Sequence, residues 1–196
     1  MNATGGTMMT AYTIDALVQD LRKVVAEHDD PRAVLQQAAP MASRMKDDKG
    51  WVRPEFYECG EDQGFGITVL HEEPDHSLLV EVIAWLPGRG VKPHDHQTWG
   101  IVVGLDGEET NINWLRRDDG SKPGFADLTI GHEVNVGPGD TAVFMPNDIH
   151  SVRNDGETTT LSLHVYGKSL AHTDRSEFDP DQKTVKPCPK RERKAA

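Results

Sequence analysis

The chain has 196 residues, 36% hydrophobic and 27% charged, with a formal net charge of −11 at pH 7. That length suits one globular domain with a core of its own, and the acidity counts against nucleic acid or an anionic membrane surface as a partner. No apolar run reaches the length of a membrane-spanning helix, residues 1–10 lack the basic-then-apolar order of a signal peptide, and Cys59 and Cys188 lie too far apart for a C-x-x-C motif, which fits a reducing, cytoplasmic setting.

Residues 1–10 are small and polar and are expected to be disordered, with Met8 and Met9 leaving the start codon open. From Thr13 the pattern is helical. Ile14, Leu17, Val18, Leu21, Val24 and Val25 recur at helical spacing, Thr13 can cap the helix and Asp15 suits its first turn. Asp30 and Pro31 can start a second helix carrying Val34, Leu35 and Ala38, with Pro40 bending or dividing it. Residues 11–48 are therefore read as helices packed on a main domain. After Trp51 short apolar runs alternate with turn residues: Ile67–Leu70, Leu78–Leu86, Gly100–Leu105, Asn111–Leu115, Asp127–His132, Thr141–Met145, Ile149–Arg153 and Thr159–Tyr166. Eight short strands with no helix between them predict an all-β sandwich or barrel over 51–170. Residues 171–196 turn to charge and proline and read as a C-terminal tail covering part of the barrel, its basic run a solvated terminus.

Chemistry concentrates in Pro93-His94-Asp95-His96-Gln97-Thr98-Trp99-Gly100. On a strand, side chains at i and i+2 leave the same face, so His94 and His96 can reach one small object, and neutral imidazole is the commonest protein metal ligand. A third histidine, His150, stands in Gly139-Asp140-x5-Pro146-x3-His150-x3-Asn154. Here the sequence resembles the cupin superfamily, whose fold is a double-stranded β-helix of jelly-roll type. Its first motif runs Gly, five residues, His-x-His, three or four residues, Glu, six residues, Gly. This chain has Gly88, His94, His96, Gly100 and Gly107 at those spacings, with Gly100 standing for the Glu. In the second motif Gly139, His150 and Asn154 fit, while Pro146 falls one place late.

Two hairpin-connected strands across such a barrel would set His94 and His96 opposite His150. Three imidazoles on rigid strands leave coordination positions open, a catalytic rather than a structural arrangement. Without the Glu, a divalent ion keeps its full charge and should attract an anionic ligand such as a thiolate. Asp95 points to the other face by the two-residue period. Imidazole suits iron, zinc, copper and nickel alike.

The last strand, Thr160-Leu161-Ser162-Leu163-His164-Val165-Tyr166, places Ser162, His164 and Tyr166 on one face. They can hydrogen-bond in series and present the phenol to the open positions; an exposed polar edge explains the spacing equally well. Ser-x-His-x-Tyr after a three-histidine cupin, with Trp85 nine residues ahead of His94 and His-Asp-His-x-Thr-Trp-Gly around the ligands, resembles the cysteine dioxygenase family, in particular bacterial thiol dioxygenases of the 3-mercaptopropionate type. The resemblance covers about residues 56–167. It implies mononuclear Fe(II) on His94, His96 and His150, Ser162, His164 and Tyr166 as an outer relay, and conversion of a small thiol with O2 to its sulfinic acid. A homodimer is a habit of cupins.

Two departures stand out. The animal enzymes join a Cys near the lost Glu to the Tyr; here Gly100 predicts an unmodified Tyr166. The family also anchors the substrate carboxylate with an Arg or Gln some two dozen residues before the first ligand, and Phe65–His71 has neither, which counts against L-cysteine. Arg53, Arg89, His71 and Arg153 are candidates to anchor it from elsewhere, each also readable as a surface charge. The alternatives are a metal-dependent cupin lyase, isomerase or hydrolase, and a non-catalytic ligand-binding cupin.

Overall fold

The computed structural model describes residues 11–196, so the expectations placed on residues 1–10 lie outside the described residues. Helix α1 spans Ile14–Glu27, and the Ala16 N–H donates to Thr13 Oγ1 at 3.1 Å. Helix α2 spans Pro31–Ser43, with Asp30 accepting from the Arg32 N–H at 3.3 Å, and a 3₁₀ turn follows over Arg44–Lys46. Because Pro40 lies well inside α2, the helix continues through it rather than dividing.

The strands are β1 (Phe65–Glu72), β2 (Leu79–Trp85), β3 (Gly90–His94), β4 (Gly100–Asp106), β5 (Glu109–Arg116), β6 (Leu128–Val136), β7 (Thr141–Phe144), β8 (Ile149–Arg153), β9 (Thr160–Tyr166), β10 (Ser176–Asp179), β11 (Thr184–Pro187) and β12 (Lys194–Ala195). They form two six-stranded sheets, ordered β12-β1-β2-β9-β4-β7 and β11-β10-β3-β8-β5-β6. Every strand pair is antiparallel except β1 with β12. This is the double-stranded β-helix of the cupins, preceded by a helical segment.

The first sheet is buried on both faces, which explains why β2 and β9 read as nearly unbroken buried runs. Its outer face carries Val80, Val82, Ile101, Val103, Leu161, Leu163 and Val165, and the helices lay Leu17, Leu21, Leu35 and Met45 against it as the main apolar core. Its inner face is then free to be polar, and it carries Glu81, Ser162, His164 and Tyr166, all buried. Among the described residues no helix is long and apolar enough to cross a membrane.

Four strands escape the sequence pattern. Strand β3 contains Pro93 and Lys92 and pairs across a register shift between Val91 and His94, so it lacks the alternation of a regular strand. Strands β10, β11 and β12 are short, charged and proline-flanked, yet the tail they belong to adds to both sheets. It is built into the fold rather than left as a solvated terminus.

Candidate metal centre

His94 closes β3 directly beside His150 on β8, its cross-strand partner. The two strands are neighbours in one sheet, not the ends of a hairpin, and His96 lies past the end of β3 in a tight loop. The loop is set by Gln97, whose φ of 55° is left-handed, and by the Gln97 N–H, which donates to Pro146 O at 3.0 Å. His96 therefore reaches the site by a turn and not by the strand period. Asp95 does face away: it accepts from the Ser176 N–H at 2.8 Å and from Gln97 Nε2 at 2.9 Å.

All three histidines are buried, and one ring nitrogen of each lies within 4.8 Å of the others. The hydrogen-bond network fixes which nitrogens are free. His94 Nδ1 donates to Lys92 O at 2.9 Å and His150 Nδ1 to Asn111 Oδ1 at 3.2 Å, which leaves both Nε2 atoms as lone pairs. His150 Nε2 and His96 Nε2 face one another at 3.2 Å. Nitrogens ligating one ion at about 2.1 Å sit roughly 3 Å apart, so this spacing suits a shared metal. Burial lowers the pKa of His94 to about 4, and burial followed by the neighbouring histidines holds His150 and His96 well below the ordinary range. The imidazoles stay neutral, as ligation requires. The residues present thus fit a divalent metal. Another group, Glu72, His76 and His172, lies nearer the surface, with its imidazoles stacked at 3.5 Å and 12°.

Ser162, His164 and Tyr166 project from β9 into the same interior. Ser162 Oγ lies 2.8 Å from His164 Nε2, and His164 Nδ1 lies 2.8 Å from the Tyr166 hydroxyl. The Ser162 hydroxyl also reaches Ile83 O at 3.5 Å, and the tautomer of His164 sets the direction in which the Ser162–His164–Tyr166 chain passes its protons. Burial lowers the pKa of His164 to about 3 and raises that of Tyr166 far above the phenol range, so the relay is neutral. The Tyr166 ring sits 4.9 Å from the His96 ring, centre to centre, and Phe144 lies 4.1 Å from His150. At Gly100 a Cβ would fall 3.0 Å from Tyr166 Cε1 and 3.4 Å from His96 Nδ1, so the position where cupins carry Glu is closed here by the phenol. Glu109 lies behind the relay and accepts from Thr160 Oγ1 at 3.2 Å.

None of the four anchors nominated from the sequence is placed to serve. Arg89 donates to Glu61 O and Asp62 O, Arg153 pairs with Asp155 and Glu133, Arg53 with Glu55, and His71 with Glu73. The cations near the site come from the tail instead. Arg175 immediately precedes β10, which pairs Glu177 with His94, and its charge is felt at His94, His96 and Tyr166. With Arg191, Arg193, Glu81, Ile67 and Cys188 it lines a cavity of about 430 Å³. The only signal for this in the sequence is that the tail is rich in arginine.

Fold and site together define a cupin-fold chain with three buried histidines that could hold a metal ion. No protein-family model matches the chain, and no curated protein does. Among solved structures it is similar to an oxalate oxidase in complex with glycolate (21% identity, TM-score 0.45, 62% of this chain and 61% of that one), so it spans under two thirds of that protein's length. It is also similar to an uncharacterized protein with a double-stranded β-helix domain from Klebsiella pneumoniae (15% identity, TM-score 0.48, 67% and 93%). The dimethylsulfoniopropionate (DMSP) lyase DddQ from Ruegeria pomeroyi is a third (18% identity, TM-score 0.43, 63% and 57%).

Proposed function

We propose that this chain is a metal-dependent cupin enzyme and, more finely, a thiol dioxygenase that uses Fe(II) on His94, His96 and His150 to convert a small thiol and O2 into a sulfinic acid. The observation that carries the reading is the meeting of three neutral imidazoles, no carboxylate, and a buried Ser162–His164–Tyr166 relay whose ring packs on His96. Bound iron would supply the redox chemistry that joins oxygen to sulfur. The chain's own residues do the rest. Three uncharged donors leave a net positive site that favours a thiolate over a thiol. Gly100 keeps the phenol seated against His96. Tyr166, held by His164, keeps its proton and offers a hydrogen bond at the substrate. Phe144 excludes water beside His150. Arg175 supplies the carboxylate anchor that Phe65–His71 lacks, and Ile67 in that window forms apolar cavity wall.

A second reading is a lyase, isomerase or hydrolase that uses the metal as a Lewis acid. A neutral, positioned phenol serves acid–base chemistry as readily as oxygen chemistry. Oxygen separates the two. Protein loaded anaerobically with Fe(II) is mixed with cysteine, 3-mercaptopropionate and related thiols, and oxygen consumption and sulfinate are measured. One O2 consumed per sulfinate formed is the expected result. No uptake with any thiol, together with turnover in the absence of oxygen by the zinc or nickel form, would establish the second reading instead.

A further inference from the structure

We propose that Glu72, His76 and His172 form a second metal site, which takes a borderline-soft divalent ion such as Zn²⁺ and clasps the segment after β9 to the β1–β2 hairpin. The site is independent of the reaction at the three-histidine centre. Glu72 ends β1, His76 stands in the turn before β2, and His172 ends a 3₁₀ turn over Leu170–His172. One donor atom of each lies within 4.8 Å of the others. Two imidazole nitrogens meet one carboxylate oxygen: Glu72 Oε1 is 2.6 Å from His76 Nδ1 and 3.9 Å from His172 Nδ1. Donors that share one zinc ion at about 2.1 Å stand roughly 3 Å apart, so the two gaps fall on either side of the required one. The imidazoles stack at 3.5 Å, and each must swing outward to aim its lone pair at a common ion. With 40% and 45% of their surface exposed, both side chains have room to turn.

The backbone that carries these donors is already in place. The Ser169 N–H donates to His76 O at 2.9 Å, and the His172 N–H donates to Ser169 O at 2.8 Å. These bonds tie the two histidine-bearing turns together, while Glu72 pairs with Leu79 across the hairpin. An ion would therefore have only side chains to order. The charge around the site selects among ions. Glu72 Oε2 is 3.6 Å from Arg193 Nη1, which steadies the carboxylate and offsets part of its charge. Ca²⁺ and Mg²⁺ require several oxygen ligands, and a single half-neutralised carboxylate does not supply them. Two imidazoles suit zinc, nickel or copper. His172 also lines the 430 Å³ cavity with Leu170, Ala171 and Thr173, so an ion held here would stiffen one wall of that cavity from outside.

The test is a Zn²⁺ titration of the untagged, metal-free chain, with chelator competition reading the stoichiometry, beside His76→Ala and His172→Ala. The wild type should bind one equivalent more than either variant, whatever the three-histidine centre takes, because both variants lose the same ion. In Glu72→Gln the affinity for that equivalent should fall by more than the roughly 10–100-fold that losing an outer partner of a metal site costs. Hydrogen exchange gives a second readout: the ion should slow the amides of residues 169–173 in the wild type and leave them unchanged in His172→Ala. Equal stoichiometry in the wild type and in either folded variant overturns the proposal. So does displacement of the extra equivalent by Ca²⁺ in about hundredfold excess, and so does an extra equivalent that leaves exchange over 169–173 untouched, which would place the ion elsewhere. Because the two histidines lie on different turns, either variant decides the stoichiometry if the other does not fold.

Discussion

Gly100→Ala isolates the closest contact in the centre. The added Cβ would lie 3.0 Å from Tyr166 Cε1, 3.1 Å from Cδ1 and 3.4 Å from His96 Nδ1. Ordinary contact needs several tenths of an ångström more, and neither neighbour yields freely. Tyr166 is tied to His164 by a 2.8 Å hydrogen bond and packs against His96, which is itself fully buried. Overpacking of this kind costs about 1–3 kcal/mol, which for a chain of this size lowers Tm by roughly 3–8 °C. The control is Gly137→Ala, where the nearest atoms are side-chain ends at 3.6 Å, and a change within about 0.5 kcal/mol is expected there. Thermal melts by circular dichroism read both. The attribution to Tyr166 is checked by coupling: in a Tyr166→Ala background the Gly100→Ala penalty should vanish, because the clashing ring is gone. If Gly100→Ala melts with the wild type, or its penalty is unchanged without the ring, the steric account of this position is wrong.

Tyr166→Phe should leave metal content intact and slow thiol-dependent oxygen uptake by about 10²–10⁴-fold, the range for losing a positioned proton donor; metal analysis alongside an oxygen electrode decides it. Asn111→Ala removes the group that fixes the His150 tautomer and should weaken metal affinity by about 10–100-fold, read by chelator competition. Burial holds the Glu109 carboxyl at about 7 against an ordinary 4.5. The folded state therefore keeps a proton that the unfolded chain gives up, so this contribution is complete below about 4.5 and lost as pH rises through about 7. It amounts to about 3 kcal/mol, and Glu109→Gln should flatten the decline across that window in urea melts.

Local signals carried the helices and the candidate ligand histidines. Thr13 and Asp30 announce the helix starts by their chemistry, and Val80, Ile101 and Leu163 declare buried strands by their neighbours. His94 and His150 are legible because motif spacing reflects strand and turn lengths. His96 was found for a partly mistaken reason, since the turn at Gln97 and not the strand period brings it in. Glu81 and Arg175 were missed for a physical reason. Glu81 is one polar residue in an apolar run, and only the pairing of β2 with β9 shows that it faces the relay. Arg175 belongs to a charged segment whose strand pairing is long-range, so nothing adjacent in sequence distinguishes it from solvated arginines.

The centre is divided between the two sheets: His94 and His150 stand on β3 and β8, the proton relay on β9. These sheets are not equally covered, because the helices pack on only one of them. Backbone amides of β9 should therefore exchange with solvent only through global unfolding, while those of β3 and β8 open in smaller fluctuations. A metal that binds the closed arrangement would slow exchange in β3 and β8 and leave β9 as it was. The half of the centre that holds protons would then be rigid from the fold alone, and the half bearing His94 and His150 would gain order only on binding an ion.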